Sequence, residues 1–382
     1  MSLVLTEDQQ LLKDSAKNFC QQNAPVSVLR KLRDENSERG YDEAVWQQMV
    51  ELGWPGMAVA EEHGGFEFGY VGLGVVLEES GRTLVNSPLI ASVLFGASLI
   101  SEVGSAEQKS ALLPKVVSGK LLLAVAIDEA PVHKPQRVNT KAKKDGDHYI
   151  LNGEKTFVLD GHIANKLIIV ARTEDDVEST AGVSLFLVDS DAQGLEVQRT
   201  LMVDNRNAAR LTLQQVKVPA ESLLGEEGSG FEALDRVLDI VRIGVAAEML
   251  GSAMEVFDRI VDYLKQREQF GLQIGSFQAL QHRAAEMYSE LELCKSVVRA
   301  ALGALDDSSK STEDRARMAS LAKAKLCEVS ELISNEGIQM HGGIGMTDEF
   351  DIGFFIKRAR SAQQFLGDAT FHRDRYANLH SF

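Results

Sequence analysis

Four long stretches of helical periodicity, at about residues 231–266, 277–305, 313–340 and 349–378, follow one another in the C-terminal part of the chain. The breaks between them are short. The first holds Gly271 and Gly275, the second runs over 306–311, and the third holds Gly342, Gly343 and Gly345. Long helices with apolar stripes and short connections bury those stripes against one another. The compact solution is an antiparallel four-helix bundle, expected over 226–382.

Upstream the period changes. Segments 121–127, 148–159, 167–172, 183–189 and 209–218 are rich in Val, Ile, Leu and Thr and are separated by Gly, Asp, Asn and charged turns. Short strands at this spacing predict a β-sandwich or barrel over 120–225, closed by Pro219 and Gly225. Residues 1–119 read as helical. Thr6 and Gln9 form a capping-box pattern ahead of Leu11, Leu12, Ala16, Phe19 and Cys20. Asp42 reads as the N-cap of a helix that buries Val45, Trp46, Met49, Val50 and Leu52 and stops at Gly53. Further helices are expected at 73–79 and 89–100, and another after Ser105 that ends near Gly119. The fold class is therefore mainly α with a central β-domain.

Composition narrows the function. A formal net charge of −16 over 382 residues argues against non-specific binding to nucleic acid or to an anionic membrane. The basic run Lys141, Lys143, Lys144 reads as a solvated hairpin turn. Cys20, Cys294 and Cys327 are far apart, lack metal-type spacing and sit in helical patterns, as expected of core residues in a reduced, cytoplasmic protein. No signal segment is read at the N-terminus, and the apolar run 88–100 is too short to span a bilayer. His341, His372 and His380 have no second ligand at metal-site spacing, so no metal is expected.

The stretch 263–281 carries the chemistry. It sets Arg267, the Phe270-Gly271 pair, Gln278 and Gln281 at the junction of two helices. A cation, side-chain amides and a fresh helix N-terminus are the parts that bind a pyrophosphate. The same residue types also suit a plain solvated face, and the pattern alone leaves both readings open.

That stretch resembles the signature of the acyl-CoA dehydrogenase family: an Arg, Gln-Phe-Gly, then Phe-Gln-x-x-Gln. A second run, Ile338-Gln339-Met340-His341-Gly342-Gly343-Ile344-Gly345-Met346-Thr347-Asp348-Glu349, resembles another signature of the family. The loop Glu61-Glu62-His63-Gly64-Gly65 is similar to the family's Pro-Glu-Glu-x-Gly-Gly, with Ala60 in place of the proline. The resemblance implies an N-terminal helical domain, a β-sandwich or barrel and a four-helix bundle. It implies FAD as cofactor, acyl-CoA as substrate, an electron-transferring flavoprotein as acceptor, and a tetramer in which two chains hold each FAD. By match to the family, Arg267 pairs with the pyrophosphate, Phe270 packs on the ADP portion and Gln278 hydrogen-bonds it. Gln339, Gly342 and Gly343 line the adenosine side, and Arg242 lies by the CoA moiety.

The chain departs from the family where the chemistry sits. α,β-Dehydrogenation needs a carboxylate to take the α-proton and a flavin to take the β-hydride. The family's Glu-Gly-Thr falls on Leu366-Gly367-Asp368, and the alternative glutamate position falls on Val241. Asp368 is the nearest candidate for a displaced base and also reads as an N-cap. The family's Thr-Glu-Pro-x-x-Gly-Ser-Asp falls on a run from Asp128 through Glu129, Ala130, Pro131, Val132, His133 and Lys134 to Pro135, without the Gly-Ser-Asp. Leu159 stands where a threonine hydroxyl would meet the flavin. The leading expectation is a subunit that completes the FAD site of a second, catalytic acyl-CoA dehydrogenase chain. The alternatives are a self-sufficient homotetramer using Asp368, and an acyl-CoA-binding protein without flavin.

Overall fold

The structure, a computed structural model, describes residues 4–174, 176 and 179–381. Helix α1 (Glu7–Asn23) opens at Thr6 with a complete capping box: the Gln9 amide donates to Thr6 Oγ1 at 3.2 Å, and the Thr6 amide to Gln9 Oε1 at 3.1 Å. It buries Ala16, Phe19 and Cys20 but leaves Leu11 67% exposed, so its apolar stripe is narrower than the sequence suggests. Helix α2 (Val26–Asp34) has no counterpart in the sequence reading. Asp42 caps α3 (Glu43–Glu51), which buries Val45, Trp46 and Met49 and stops at Gly53, at φ +77°. Leu52, expected inside, is exposed. Helix α4 (Gly69–Arg82) follows. The expected helix at 89–100 is a π-helix, Leu89–Ala97, that runs on into α5 (Ser98–Val103). Then comes α6 (Ala106–Val117), with Ser105 and Gln108 in a second capping box.

The strands are β1 (Leu123–Ala126), β2 (Lys141–Asp145), β3 (His148–Leu159), β4 (Lys166–Arg172), β5 (Val183–Asp189), β6 (Leu195–Leu201), β7 (Asn207–Pro219) and β8 (Leu223–Leu224). The rest is helical except for one hairpin: α7 (Gly230–Gln266), β9 (Glu268–Gln269), β10 (Leu272–Gln273), α8 (Gln278–Asp306), α9 (Thr312–His341), α10 (Ile352–Gln364) and α11 (Ala369–Leu379).

Two expectations need correction. Lys141, Lys143 and Lys144 form strand β2 rather than a turn. The strand pairs antiparallel with β3, buries Ala142 and points its lysines outward. The alternation is short, and its single apolar residue hid it. The fourth bundle segment is two helices, because Leu366 (φ +58°) and Gly367 (φ +104°) both turn left-handed and stop α10. Asp368 then caps α11 through the Phe371 amide, at 2.9 Å.

The chain divides into two compact units. One comprises Leu32–Gly69 and Asn86–Val241. Its eight strands join in one sheet, in the order β6-β7-β3-β2-β4-β5-β8, with β1 parallel to β4. Alternate residues of β1, β3, β4, β5 and β7 (Ala124, Leu151, Ile169, Phe186 and Leu211 among them) face one shared core. A sheet that presents one face to a single core is wrapped around it. Bulges in the β3–β7 pairing put Phe157 and Gln215 at positive φ.

The other unit comprises Met1–Lys31, Tyr70–Val85 and Arg242–Phe382. Its organising contact is a close crossing of α4 and α7. A Cβ added at Gly251 would lie 1.7 Å from the Glu78 carbonyl oxygen, and one at Gly81 would lie 2.1 Å from that of Glu248. Glycine on both helices lets two backbones touch. At the far end of α8, Asp306 accepts the Tyr70 and Val71 amides at 2.7 and 2.8 Å and so caps α4. Gly251→Ala is expected to destabilise the chain by about 2–3 kcal/mol, since backbone must move. Gly353→Ala in α10, where an added Cβ meets nothing within 4 Å, should be neutral or slightly stabilising. Chemical denaturation of the two variants checks this, and equal effects would discount the crossing.

Candidate cofactor site at one end of the bundle

The two signature stretches meet at one end of the helical unit. Helix α7 ends beside the start of α8, and α9 runs back so that its C-terminus joins them. Tyr263 of α7 stacks on His341 of α9 with ring centroids 4.5 Å apart, and Phe350 closes the cluster 5.3 Å from His341. An Arg283–Glu336 ion pair ties α8 to α9 at the same level. His341 is buried and donates from Nδ1 to the Gly337 carbonyl at 2.7 Å. Burial holds its pKa below the usual histidine range, so it is a neutral packing residue.

Between α7 and α8 the chain makes the β9–β10 hairpin. Its two turn residues, Phe270 (φ +56°) and Gly271 (φ +78°), are both left-handed, the requirement of a two-residue hairpin turn. Phe270 is held out into solvent, 91% exposed. A bulky residue at positive φ is uncommon and costs backbone strain. Arg267 and Gln278 are also exposed. Gln281 is committed within the loop and donates to the Gly275 carbonyl at 2.8 Å. Helix α8 opens at Phe277 with no side-chain cap, so its first N–H groups face outward at the positive end of a 29-residue helix. Gln339 is exposed on the last turn of α9. Gly342 follows at φ +62° and ψ −141°, and added Cβ atoms at Gly342 and Gly343 would meet nothing within 4 Å. Arg30 braces the next loop through Asp348 at 2.7 Å and Asp351 at 2.8 Å. The structure thus gathers Arg267, Phe270, Gln278, Gln339, Gly342 and Gly343 on one open face.

The other expected positions lie elsewhere. Val241 and Arg242 are fully buried in α7. Arg242 Nε donates to the Leu366 carbonyl at 3.4 Å, and its guanidinium lies 5.5 Å from the Phe371 ring centroid. Leu366 is 3% exposed, with its side chain in the core. Asp368 is half-buried and serves as the α11 cap.

Sequence reasoning missed Lys323, which holds this loop in place. Its ammonium is fully buried and donates to the carbonyls of Ala362 (2.9 Å), Gln363 (3.2 Å) and Gly367 (2.9 Å). His372 Nε2 donates to the Leu366 carbonyl at 3.1 Å. Burial, then the nearby Arg242 and Lys323, drives the His372 pKa far below the usual range and keeps the ring neutral. The only local signal was a lysine on the apolar side of α9.

In the β-sheet unit, the loop after β1 is anchored by Glu129. It accepts from Lys155 Nζ at 2.7 Å and from the Asn139 and Thr140 amides at 2.7 and 2.9 Å. Burial alone would raise its carboxyl, but Lys155 and the Thr140 bonds outweigh that and bring it down to about 2. His133, where the family has the Gly-Ser-Asp segment, is buried with Nδ1 2.9 Å from the Asp128 carboxylate. Leu159, half-buried, offers no hydroxyl, and Asp160 follows it. The open bundle face fits an anionic dinucleotide. The loop after β1 carries His133-Lys134-Pro135 and β3 ends at Leu159, so the Gly-Ser-Asp and threonine of the resembled pattern are absent from these positions. Among the described residues no cluster of His, Cys, Asp or Glu could hold a metal, and no helix is long and apolar enough to cross a membrane.

Comparison with known proteins agrees with this geometry. Family models match along the chain: the acyl-CoA dehydrogenase N-terminal domain at residues 6–120, the middle domain at 133–216 and the C-terminal domain at 228–378. The chain is 30% identical over 376 residues to the probable acyl-CoA dehydrogenase YngJ of Bacillus subtilis, covering 97% of this chain and 96% of that one. The solved butyryl-CoA dehydrogenase of Megasphaera elsdenii superposes with a TM-score of 0.90 at 28% identity over 100% of both chains. A variant of the Tcur3481–Tcur3483 steroid ACAD does so with a TM-score of 0.87 at 33% identity over 98% of both. The chain belongs to the acyl-CoA dehydrogenase family. Members of that family are FAD-dependent flavoproteins.

Asp160 gives a pH test of the region after β3. Burial pushes its carboxyl up to about 7, against the pull of Arg206. An unfolded aspartate releases its proton near pH ~4. Between those values the folded chain keeps a proton that the unfolded chain has lost. The stability this confers is full below about pH 4 and is lost as pH rises through about 7. Asp160→Asn should therefore raise the thermal unfolding midpoint at about pH 8 and change it little near about pH 4. Equal shifts at both pH values would show that Asp160 does not titrate in this way.

Proposed function

We propose that this chain is the non-catalytic member of a two-chain acyl-CoA dehydrogenase, in which its bundle end completes the FAD site of a catalytic partner. One observation carries this reading. The residues that a neighbour's cofactor would meet stand open on one face, while Leu366 and Val241, at the two base positions, are apolar and buried. Asp368, the nearest carboxylate, is engaged in capping α11. The relative named as a steroid ACAD, which carries two chain names in one assembly, supports a paired arrangement.

In this reading Arg267 pairs with the pyrophosphate, and the uncapped start of α8 adds N–H donors and a favourable dipole. Phe270 packs on the ADP portion, Gln278 hydrogen-bonds it, and Gln339 with the open glycines Gly342 and Gly343 borders the adenosine. Bound FAD supplies the hydride acceptor, and the proton-abstracting carboxylate comes from the partner chain. The substrate is an acyl-CoA thioester, and electrons leave to an electron-transferring flavoprotein; Arg242, expected beside the CoA, is instead spent on the Leu366 carbonyl in the core. The assembly is a heterotetramer.

The test is visible absorbance. The chain purified alone should be colourless and should retain flavin only when co-purified with a catalytic acyl-CoA dehydrogenase chain. Arg267→Ala should weaken FAD binding to the pair by roughly 30-fold or more, the loss of a charge-assisted contact, without preventing assembly. A chain that is yellow alone and bleached by an acyl-CoA would overturn the proposal and make Asp368→Asn the next experiment. A pair that assembles and turns over without flavin in contact with this chain would favour an acyl-CoA-binding role.

A further inference from the structure

The interior of the helical unit contains a small cavity of mixed polar and apolar lining between α7, α9 and α10 that the FAD reading does not use. It is lined by Glu248, Ser252, Ser330, Ser334 and Arg358, with Phe355 among its apolar neighbours. All five polar residues are more than nine-tenths buried; Glu248, Ser330 and Arg358 are 3%, 4% and 2% exposed. The cavity has room for about one water molecule.

Ser330 shows that the cavity needs an occupant. A serine inside a helix ordinarily returns its hydroxyl to the carbonyl four residues back. Ser289 and Ser296 do so on α8, bonding the Ala285 and Glu292 carbonyls at 2.9 and 3.1 Å. Ser330 does not: its Oγ is inaccessible to solvent and has no hydrogen-bond partner in the protein. A buried hydroxyl without a partner costs about 1–3 kcal/mol, and native structures rarely leave one. The neighbouring charges narrow the choice of occupant. Arg358 Nη1 lies 3.3 Å from Glu248 Oε1, longer than the ~2.7–2.9 Å of a tight charge-assisted bond. The carboxylate opposes an anion in the same space, and the guanidinium opposes a cation. A neutral molecule that both donates and accepts suits all three groups.

We propose that one ordered water occupies this cavity, bonded to Ser330 Oγ and bridging α9 to the Glu248–Arg358 pair that joins α7 and α10. The water is then part of the fold, and it carries the polar link between three helices through an otherwise apolar interior.

A crystal structure of the full chain at a resolution that shows ordered solvent tests this. The expected result is a single peak within ~3.2 Å of Ser330 Oγ. Ser330→Ala should weaken or remove that peak and lower the unfolding midpoint by about 2 °C. Xenon pressurisation is the second measurement, because dry apolar cavities take up xenon and hydrated polar ones do not. Wild-type crystals should show no xenon here. The proposal is overturned by xenon in the wild-type cavity, by a Ser330 hydroxyl turned back onto the Leu326 carbonyl with no solvent peak, or by an Ser330→Ala structure with the peak unchanged.

Discussion

A buried ammonium held by backbone carbonyls fixes the shape of the 365–368 loop. Lys323 ends α10 by taking the carbonyls of Ala362 and Gln363, and takes Gly367 as well. Burial presses its pKa down, and the carbonyl ring provides the polar surroundings that make the charge tolerable. With Arg242 and His372 converging on the Leu366 carbonyl, every turn of the 365–368 loop is held from beneath. The loop's geometry therefore rests on backbone acceptors. The side chain at position 366 takes no part in those bonds, and here it is a leucine turned inward.

That separation of scaffold from chemistry explains the asymmetry of the molecule. The bundle end depends on backbone features: left-handed turn residues, an uncapped helix start, glycines with space beside them. Those features cost stability or expose apolar surface. The β-sheet unit has the opposite character. Its loop after β1 is stitched down by Glu129 and Lys155, and His133 turns inward onto Asp128. The bundle end is left open, and the loop after β1 is closed on itself.

Much of this was legible in the sequence. Helix starts were readable where an N-cap and its reciprocal partner lie three residues apart, as at Thr6 and Ser105. The β-rich centre was readable because its strands are runs of Val, Ile, Leu and Thr set between Gly, Asp, Asn and charged turns. Strand β2 was not, because a strand with one inward apolar residue among lysines looks like a solvated turn. The break at 365–368 was hidden because Leu366 takes a left-handed conformation that its residue type disfavours, and only tertiary contacts hold it there. At the candidate site, Arg267, Phe270, Gln278 and Gln339 were named by their motif, and all four are exposed. Lys323 was invisible, since apart from Cys327 Sγ its partners lie about forty positions downstream and are backbone oxygens with no residue type to recognise.

The hairpin tip has a consequence for a chain on its own. Phe270, Leu272 and Met346 are 91%, 55% and 77% exposed, in the β9–β10 hairpin and the short turn after α9. Exposed apolar surface is unfavourable in water, and the Phe270 ring meets Phe277 edge-on, with centroids 6.2 Å apart. A solitary chain therefore carries an adhesive spot that grows more troublesome with concentration. Covering it would raise the solubility ceiling of the protein as well as complete any site, so yield and partner supply should rise together.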